Sequence, residues 1–170
     1  MVRPLPHQDS SSPDIGIQQD ALLHGLSRLP RRVQQVFLLN RLDQQRFADI
    51  AKRLDLSSTC IEHCINQVLR SARPSADALA DQAARWYVRL QSPEVTASER
   101  IDFRRWLDAA PQHLQAFHEI ELRWRSLLAP AWQLGHDGWY RQGRAALSLS
   151  GCSVAVSLGA AVLLAIGLWV

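Results

Sequence analysis

The sequence predicts an all-α protein: a four-helix domain containing a helix-turn-helix, a small three-helix bundle, and one C-terminal transmembrane helix. Apolar residues recur at three- and four-residue intervals in seven stretches between residues 15 and 128, the period of amphipathic helices. No stretch carries the strict apolar–polar alternation of a half-buried strand. The last 26 residues, Ala145–Val170, hold no charge.

Residues 1–14, with Pro4, Pro6, Ser10, Ser11, Ser12 and Pro13, read as a disordered leader. The four-helix domain covers 15–73. Ile17, Ala21, Leu22 and Leu26 share one face of a first helix that stops near Pro30. Pro30 suits the start of a second helix carrying Val33, Val36, Phe37 and Leu39, because its fixed φ is helical and its missing N–H would have no partner there. A third helix spans about Phe47–Leu54, with Phe47, Ile50, Ala51 and Leu54 in register. After the turn Asp55-Leu56-Ser57, a fourth runs about Ser58–Arg70 with Ile61, Ile65, Val68 and Leu69 inward. Ser57 is its N-cap, a hydroxyl able to accept from an orphan backbone N–H.

Arg73-Pro74-Ser75 marks a short linker, since proline disfavours helix at the preceding residue. The three-helix unit then covers 76–129. Its first helix, about Ala76–Leu90, places Leu79, Ala83, Trp86 and Leu90 on one side. Its second starts at Thr96, where Thr-Ala-Ser-Glu forms a capping box with Glu99, and carries Ile101, Phe103, Trp106 and Leu107. Its third starts at Pro111 and carries Leu114, Phe117, Ile120, Leu122 and Trp124 to about Leu128.

Residues 130–144, with Pro130, Gly135, Gly138 and Gly143, read as a juxtamembrane linker. Trp132, Trp139 and Tyr140 would lie in it at headgroup depth, where an apolar ring with a polar edge is stable. At 1.5 Å per residue, roughly 20 residues span the hydrocarbon core, so 145–170 suffices for a transmembrane helix. Arg141 and Arg144 precede it and no charge follows. The positive-inside rule therefore puts the N-terminal bulk in the cytoplasm of a single-pass inner-membrane protein. Gly151, Ala155 and Gly159 form a small-residue stripe compatible with a homodimer, although such residues are common in membrane helices.

The formal net charge is +3, and it resides at the front: ten Arg/Lys face seven Asp/Glu in residues 1–75, against seven and eight in 76–130. Three cysteines give no disulfide framework and fit a reducing compartment. The N-terminus has no apolar run of the secretory kind. An enzyme is not expected: there is no nucleophile–base pair or phosphate loop, and His7, His24, His113, His118 and His136 read as surface or capping groups. Cys60 and Cys64, with His63 between, supply at most one helix's share of a metal site and lack a second ligand pair, so no cofactor or metal is expected.

Leu29-Pro30-Arg31-Arg32-Val33-Gln34-Gln35-Val36-Phe37-Leu38-Leu39, then Phe47-Ala48-Asp49-Ile50-Ala51-Lys52-Arg53-Leu54, then Leu56-Ser57 and Ile61-Glu62, resembles region 4 of extracytoplasmic-function sigma factors over about Ala21–Arg73. The resemblance implies binding of the −35 promoter element and of RNA polymerase, with the second helix of the helix-turn-helix reading bases. On that helix the outward positions are Thr59, Cys60, His63, Asn66, Gln67 and Arg70. Asn and Gln suit adenine, and Thr suits a thymine methyl. Arg31, Arg32, Arg46, Lys52 and Arg53 are the candidates for neutralising phosphates. The sequence departs from the family where Arg46 replaces Ser, Asp55 replaces Gly and Cys60 replaces Thr. These changes loosen a helix cap, put a Cβ in the turn and remove a hydroxyl donor.

Ala83-Ala84-Arg85-Trp86, Val88-Arg89-Leu90-Gln91-Ser92, Phe103-Arg104-Arg105-Trp106-Leu107, Pro111-Gln112-His113, Ala116-Phe117 and Trp124 resemble the N-terminal cytoplasmic domain of FecR-type anti-sigma factors, the iron-responsive regulators. Ala110 departs from the Asp usual before that proline, at a cost on the order of 1 kcal/mol of capping. The resemblance implies that this anti-sigma-like bundle binds a sigma factor, with Trp86, Leu90, Phe103, Trp106, Phe117 and Trp124 as core and partner-binding residues. So small a bundle buries little surface alone and gains from a partner.

Three readings follow. The chain is a membrane-anchored sigma/anti-sigma hybrid that binds an extracytoplasmic-function sigma factor, or its own region 4 segment, at the inner membrane. Alternatively it is a membrane-tethered regulator that still reads promoter DNA. A third reading is a truncated fusion remnant, with neither the promoter-melting region before residue 20 nor the periplasmic sensor after Val170.

Overall fold

The computed structural model describes residues 12–73 and 77–142. Among the described residues, eight α-helices run in chain order: α1 (Ser12–Ser27), α2 (Arg31–Arg41), α3 (Phe47–Leu54), α4 (Ser58–Ser71), α5 (Ala78–Arg89), α6 (Ala97–Ala109), α7 (Pro111–Ser126) and α8 (Leu128–Leu134). A single 3-10 turn follows at Trp139–Arg141. Among the described residues there is no strand, and no helix is long and apolar enough to cross a membrane. The span expected over 145–170 lies outside the described residues, as does most of the leader. Its last expected positions, from Ser12, already belong to α1.

The helix boundaries follow local chemistry. Pro30 stands just before α2 and contributes no side-chain cap. Ser57 caps α4 by accepting from the Cys60 N–H at 3.2 Å. Thr96 and Glu99 form the reciprocal capping box at the start of α6, satisfying two otherwise orphan donors. Ala110 offers α7 no side-chain cap, and Pro111 opens that helix.

Helices α1 to α4 wrap the inward residues named by periodicity: Val36, Phe37, Leu39, Ile50, Ile61, Ile65, Val68 and Leu69 are all fully buried. Ile17 and Ala21 are the exceptions on α1: both are exposed, Ile17 by 69%, because the core reaches only as far as Leu22 and Leu26. Gly25 lets α1 approach α4 closely, since a Cβ there would meet the Ser71 carbonyl oxygen at 2.8 Å. Helices α5, α6 and α7 form the second bundle, in which Ala83, Ala84, Val88, Trp106, Ala116, Ile120 and Trp124 are buried. Ile101, Leu114 and Leu122 point outward.

Two features depart from the layout read from the sequence. The bundles share one continuous apolar core running from Leu22 to Tyr140, with α5 and α7 packed on α4. And residues 130–142 are not a linker. Helix α8 packs on α1 and α7, and the 3-10 turn packs on α2. Pro130 is accommodated because it lies in the first turn of α8, where no intrahelical N–H bond is needed. Tyr140 is 1% exposed and Trp139 half-buried, so neither ring is placed to meet lipid headgroups; Trp132 remains exposed.

Candidate nucleic-acid interface

The turn between α3 and α4 is closed by Asp55 in the left-handed region (φ 54°), with the Leu56 N–H donating to the Ala51 carbonyl at 2.9 Å. A Cβ-bearing residue pays a conformational cost there that glycine avoids. The conformation nonetheless turns the chain in three residues, so that α4 follows α3 as the second helix of a helix-turn-helix. Arg46 precedes α3 and gives no side-chain cap. It pairs instead with Asp49 at 3.0 Å on an exposed surface.

Thr59, His63 and Arg70 are exposed along one stripe of α4, with Gln67 half-buried among them. Gln67 and His63 hydrogen-bond through their Nε2 atoms at 3.0 Å. Cys60 is half-buried beside the cap. Asn66 is turned toward α5: its amide donates to the Glu62 carbonyl at 3.0 Å and its Oδ1 is buried without a hydrogen-bond partner. Helix α4 thus presents Thr59, His63, Gln67 and Arg70 outward and surrenders the Glu62–Asn66 edge to the second bundle. Arg46, just before α3, and Lys52 and Arg53 on α3 are exposed. Arg53 donates to the Arg141 carbonyl at 2.5 Å, and the other two expected phosphate contacts also have intramolecular partners. Arg32 donates to the Leu54 carbonyl at 2.7 Å, and the Arg31 guanidinium lies 3.5 Å above the Trp139 ring.

The second bundle grips α4 at both ends. At the N-terminal end, Arg89 of α5 donates to Glu62 of α4 at 2.9 Å and in a bidentate manner to Glu99 of α6 at 2.8 and 3.2 Å. This arrangement holds the Glu99 carboxyl at about 2, with the Thr96 cap contributing. At the C-terminal end, Asp81 of α5 pairs with Arg73 and with Arg70. The Arg73 guanidinium, ahead of other causes, pulls the Asp81 carboxyl below its ordinary range. Arg123 of α7 donates to the Ala72 carbonyl at 2.7 Å, capping the end of α4. Between these ends, Trp124 of α7 meets Phe37 of α2 edge-on, with ring centroids 5.7 Å apart. A cleft of about 370 Å³ opens between α4 and α5, lined by Glu62, Asn66, Gln82, Arg85, Trp86 and Arg89.

Of the residues expected to bind a partner, Trp86, Phe103, Trp106 and Phe117 form the aromatic centre of the second bundle. Phe103 lies 5.0 Å from Phe117 and 5.7 Å from Trp86. Trp106 stacks on His113 at 4.7 Å. Leu90 is half-buried at the end of α5, and Trp124 reaches the first bundle. Sequence reasoning missed Asp81, Arg89 and Arg123, which make polar contacts between the bundles, and Arg41, which donates to the Arg125 carbonyl at 3.3 Å. Only Glu99 of that network had a local signal, its capping box.

Comparison with known families divides the chain at the same junction. Residues 19–68 match the family model of sigma-70 region 4. The match points to a sigma-factor-related role in transcription regulation, through a helix-turn-helix DNA-binding element whose implied partner is RNA polymerase or promoter DNA. Residues 81–122 match a domain of unknown function, DUF4880, which is found in FecR-type proteins. No curated protein and no solved structure matches the chain.

Proposed function

We propose that this chain is a membrane-anchored sigma/anti-sigma hybrid in which the DUF4880 bundle holds the chain's own region 4 segment in check at the inner membrane. The single observation behind this reading is the grip on α4: Arg89 on Glu62 at one end, Asp81 on Arg70 and Arg73 at the other. Arg70 is a candidate base-reading or phosphate residue, and α5 engages it. An α-helix fits the major groove singly, so a second helix along its flank restricts how deeply α4 can enter. The uncharged segment 145–170, preceded by Arg141 and Arg144, supports the anchor and the cytoplasmic side.

The second reading, a tethered regulator that still occupies promoters, is favoured by the exposure of Thr59, His63, Arg46, Lys52 and Arg53. Binding of −35 promoter duplex by the full chain in lipid nanodiscs separates the two. The hybrid reading expects weak binding by the native chain and tighter binding by Arg89→Met, which frees Glu62. Equal, tight binding by both would favour the second reading and set aside the first.

A further inference from the structure

The segment Trp139–Gln142 lies against α2 and Arg53 of α3; apart from the Trp139 indole, which donates to the Leu134 carbonyl of α8 at 3.0 Å, its side-chain anchors come from the region 4 part. Gln35 is 1% exposed, and its amide donates to the carbonyls of Tyr140 at 3.0 Å and Gln142 at 3.2 Å. A buried amide whose donors both serve one backbone segment is a dedicated anchor. Asp43, in the loop after α2, accepts from the Tyr140 hydroxyl at 3.0 Å and from Arg141 at 2.6 Å. Gly138, at φ 68°, makes the turn that delivers the segment. On the rim, Arg31 stacks over Trp139 at 3.5 Å and Arg53 donates to the Arg141 carbonyl at 2.5 Å. Two cations suited to DNA phosphates are therefore occupied by the same four residues. The uncharged stretch begins three positions beyond Gln142.

We propose that residues 139–142 are an intramolecular strap that competes with the DNA backbone for Arg31 and Arg53. The α2–α3 face engages phosphate fully only when the strap lifts. This rests on the region 4 part being able to meet DNA, as both readings above hold.

The test uses the full chain in nanodiscs with a short mixed-sequence duplex, since phosphate neutralisation is independent of base sequence. Asp43→Asn weakens the anchor by removing a negative charge; Arg141→Ala weakens it by removing a positive one. Net charge alone would move the two variants in opposite directions, whereas strap release moves both toward tighter binding. Two freed cations steepen the logarithmic salt dependence of binding by about 1.8. Faster hydrogen exchange at 139–142 reports the release itself. Arg141 is exposed on its outer side, so that variant remains informative if Asp43→Asn fails to fold.

Faster exchange with unchanged affinity and slope would overturn the proposal, as would unchanged exchange in a folded variant. If Arg89→Met tightens duplex binding while the strap variants do not, the strap falls and the hybrid reading stands. If no variant binds duplex, the strap falls together with DNA recognition.

Discussion

Arg89 and Glu62, 27 positions apart in sequence and on different bundles, meet at 2.9 Å with side chains only 28% and 16% exposed. The same guanidinium also holds Glu99, so one side chain ties α4, α5 and α6 together. Replacing Arg89 with Met takes the guanidinium from both Glu62 and Glu99 and leaves Glu99 only its Thr96 cap. We expect a loss of about 2 kcal/mol, the scale of hydrogen bonds to charged groups, read as a lower urea midpoint of the full chain in detergent. An unchanged midpoint would show that the contact does not contribute to folding.

The same network sets an acid dependence. Glu99 titrates at about 2 rather than an ordinary 4.5, so it stays ionised in the fold where the unfolded chain takes up a proton. Its contribution is complete above about 4.5 and is lost as pH falls through that window toward about 2. Asp81 and Asp43, both lowered by arginine partners, act with the same sign. Glu99→Gln should flatten the acid limb of a stability–pH curve. A curve parallel to the native one would contradict the assignment.

Phe37 and Trp124 join the two bundles through apolar contact rather than charge. Phe37 is fully buried, so Phe37→Ala should cost roughly 3–5 kcal/mol. A double-mutant cycle with Trp124→Ala should return a coupling of about 0.5–1.5 kcal/mol for the edge-on pair. Strict additivity would mean that the rings do not interact.

Gly25 lies within α1, where alanine would ordinarily favour a helix by about 0.5–1 kcal/mol. Here the added Cβ would press on the Ser71 carbonyl at 2.8 Å, against backbone that cannot swing away. Gly25→Ala should therefore lower the thermal midpoint instead of raising it.

Much of the architecture was readable from periodicity and caps. Helix α3 spans the expected residues, Ser57 and Thr96 cap where hydroxyls precede apolar runs, and Pro111 opens α7. The junction was not readable, because it is made by residues that look like ordinary solvated charges: Glu62, Asp81, Arg89 and Arg123 have no spacing that betrays a partner in another helix. Residues 130–142 were misread for a related reason. Prolines, glycines and scattered aromatics have the composition of a linker, and only the tertiary fold supplies Gln35 and Asp43 to seat Tyr140. The candidate reading face was legible as a stripe, but the loss of its Asn66 edge to α5 was not.

The DUF4880 bundle sits on the region 4 segment within one chain. A distance distribution between nitroxides carried at exposed Lys52 on α3 and Arg104 on α6, measured on the full chain in nanodiscs by double electron–electron resonance, tests this arrangement most directly. One narrow distribution that broadens on Arg89→Met is expected. A broad distribution in the native chain would mean that the two bundles move independently, and would contradict it.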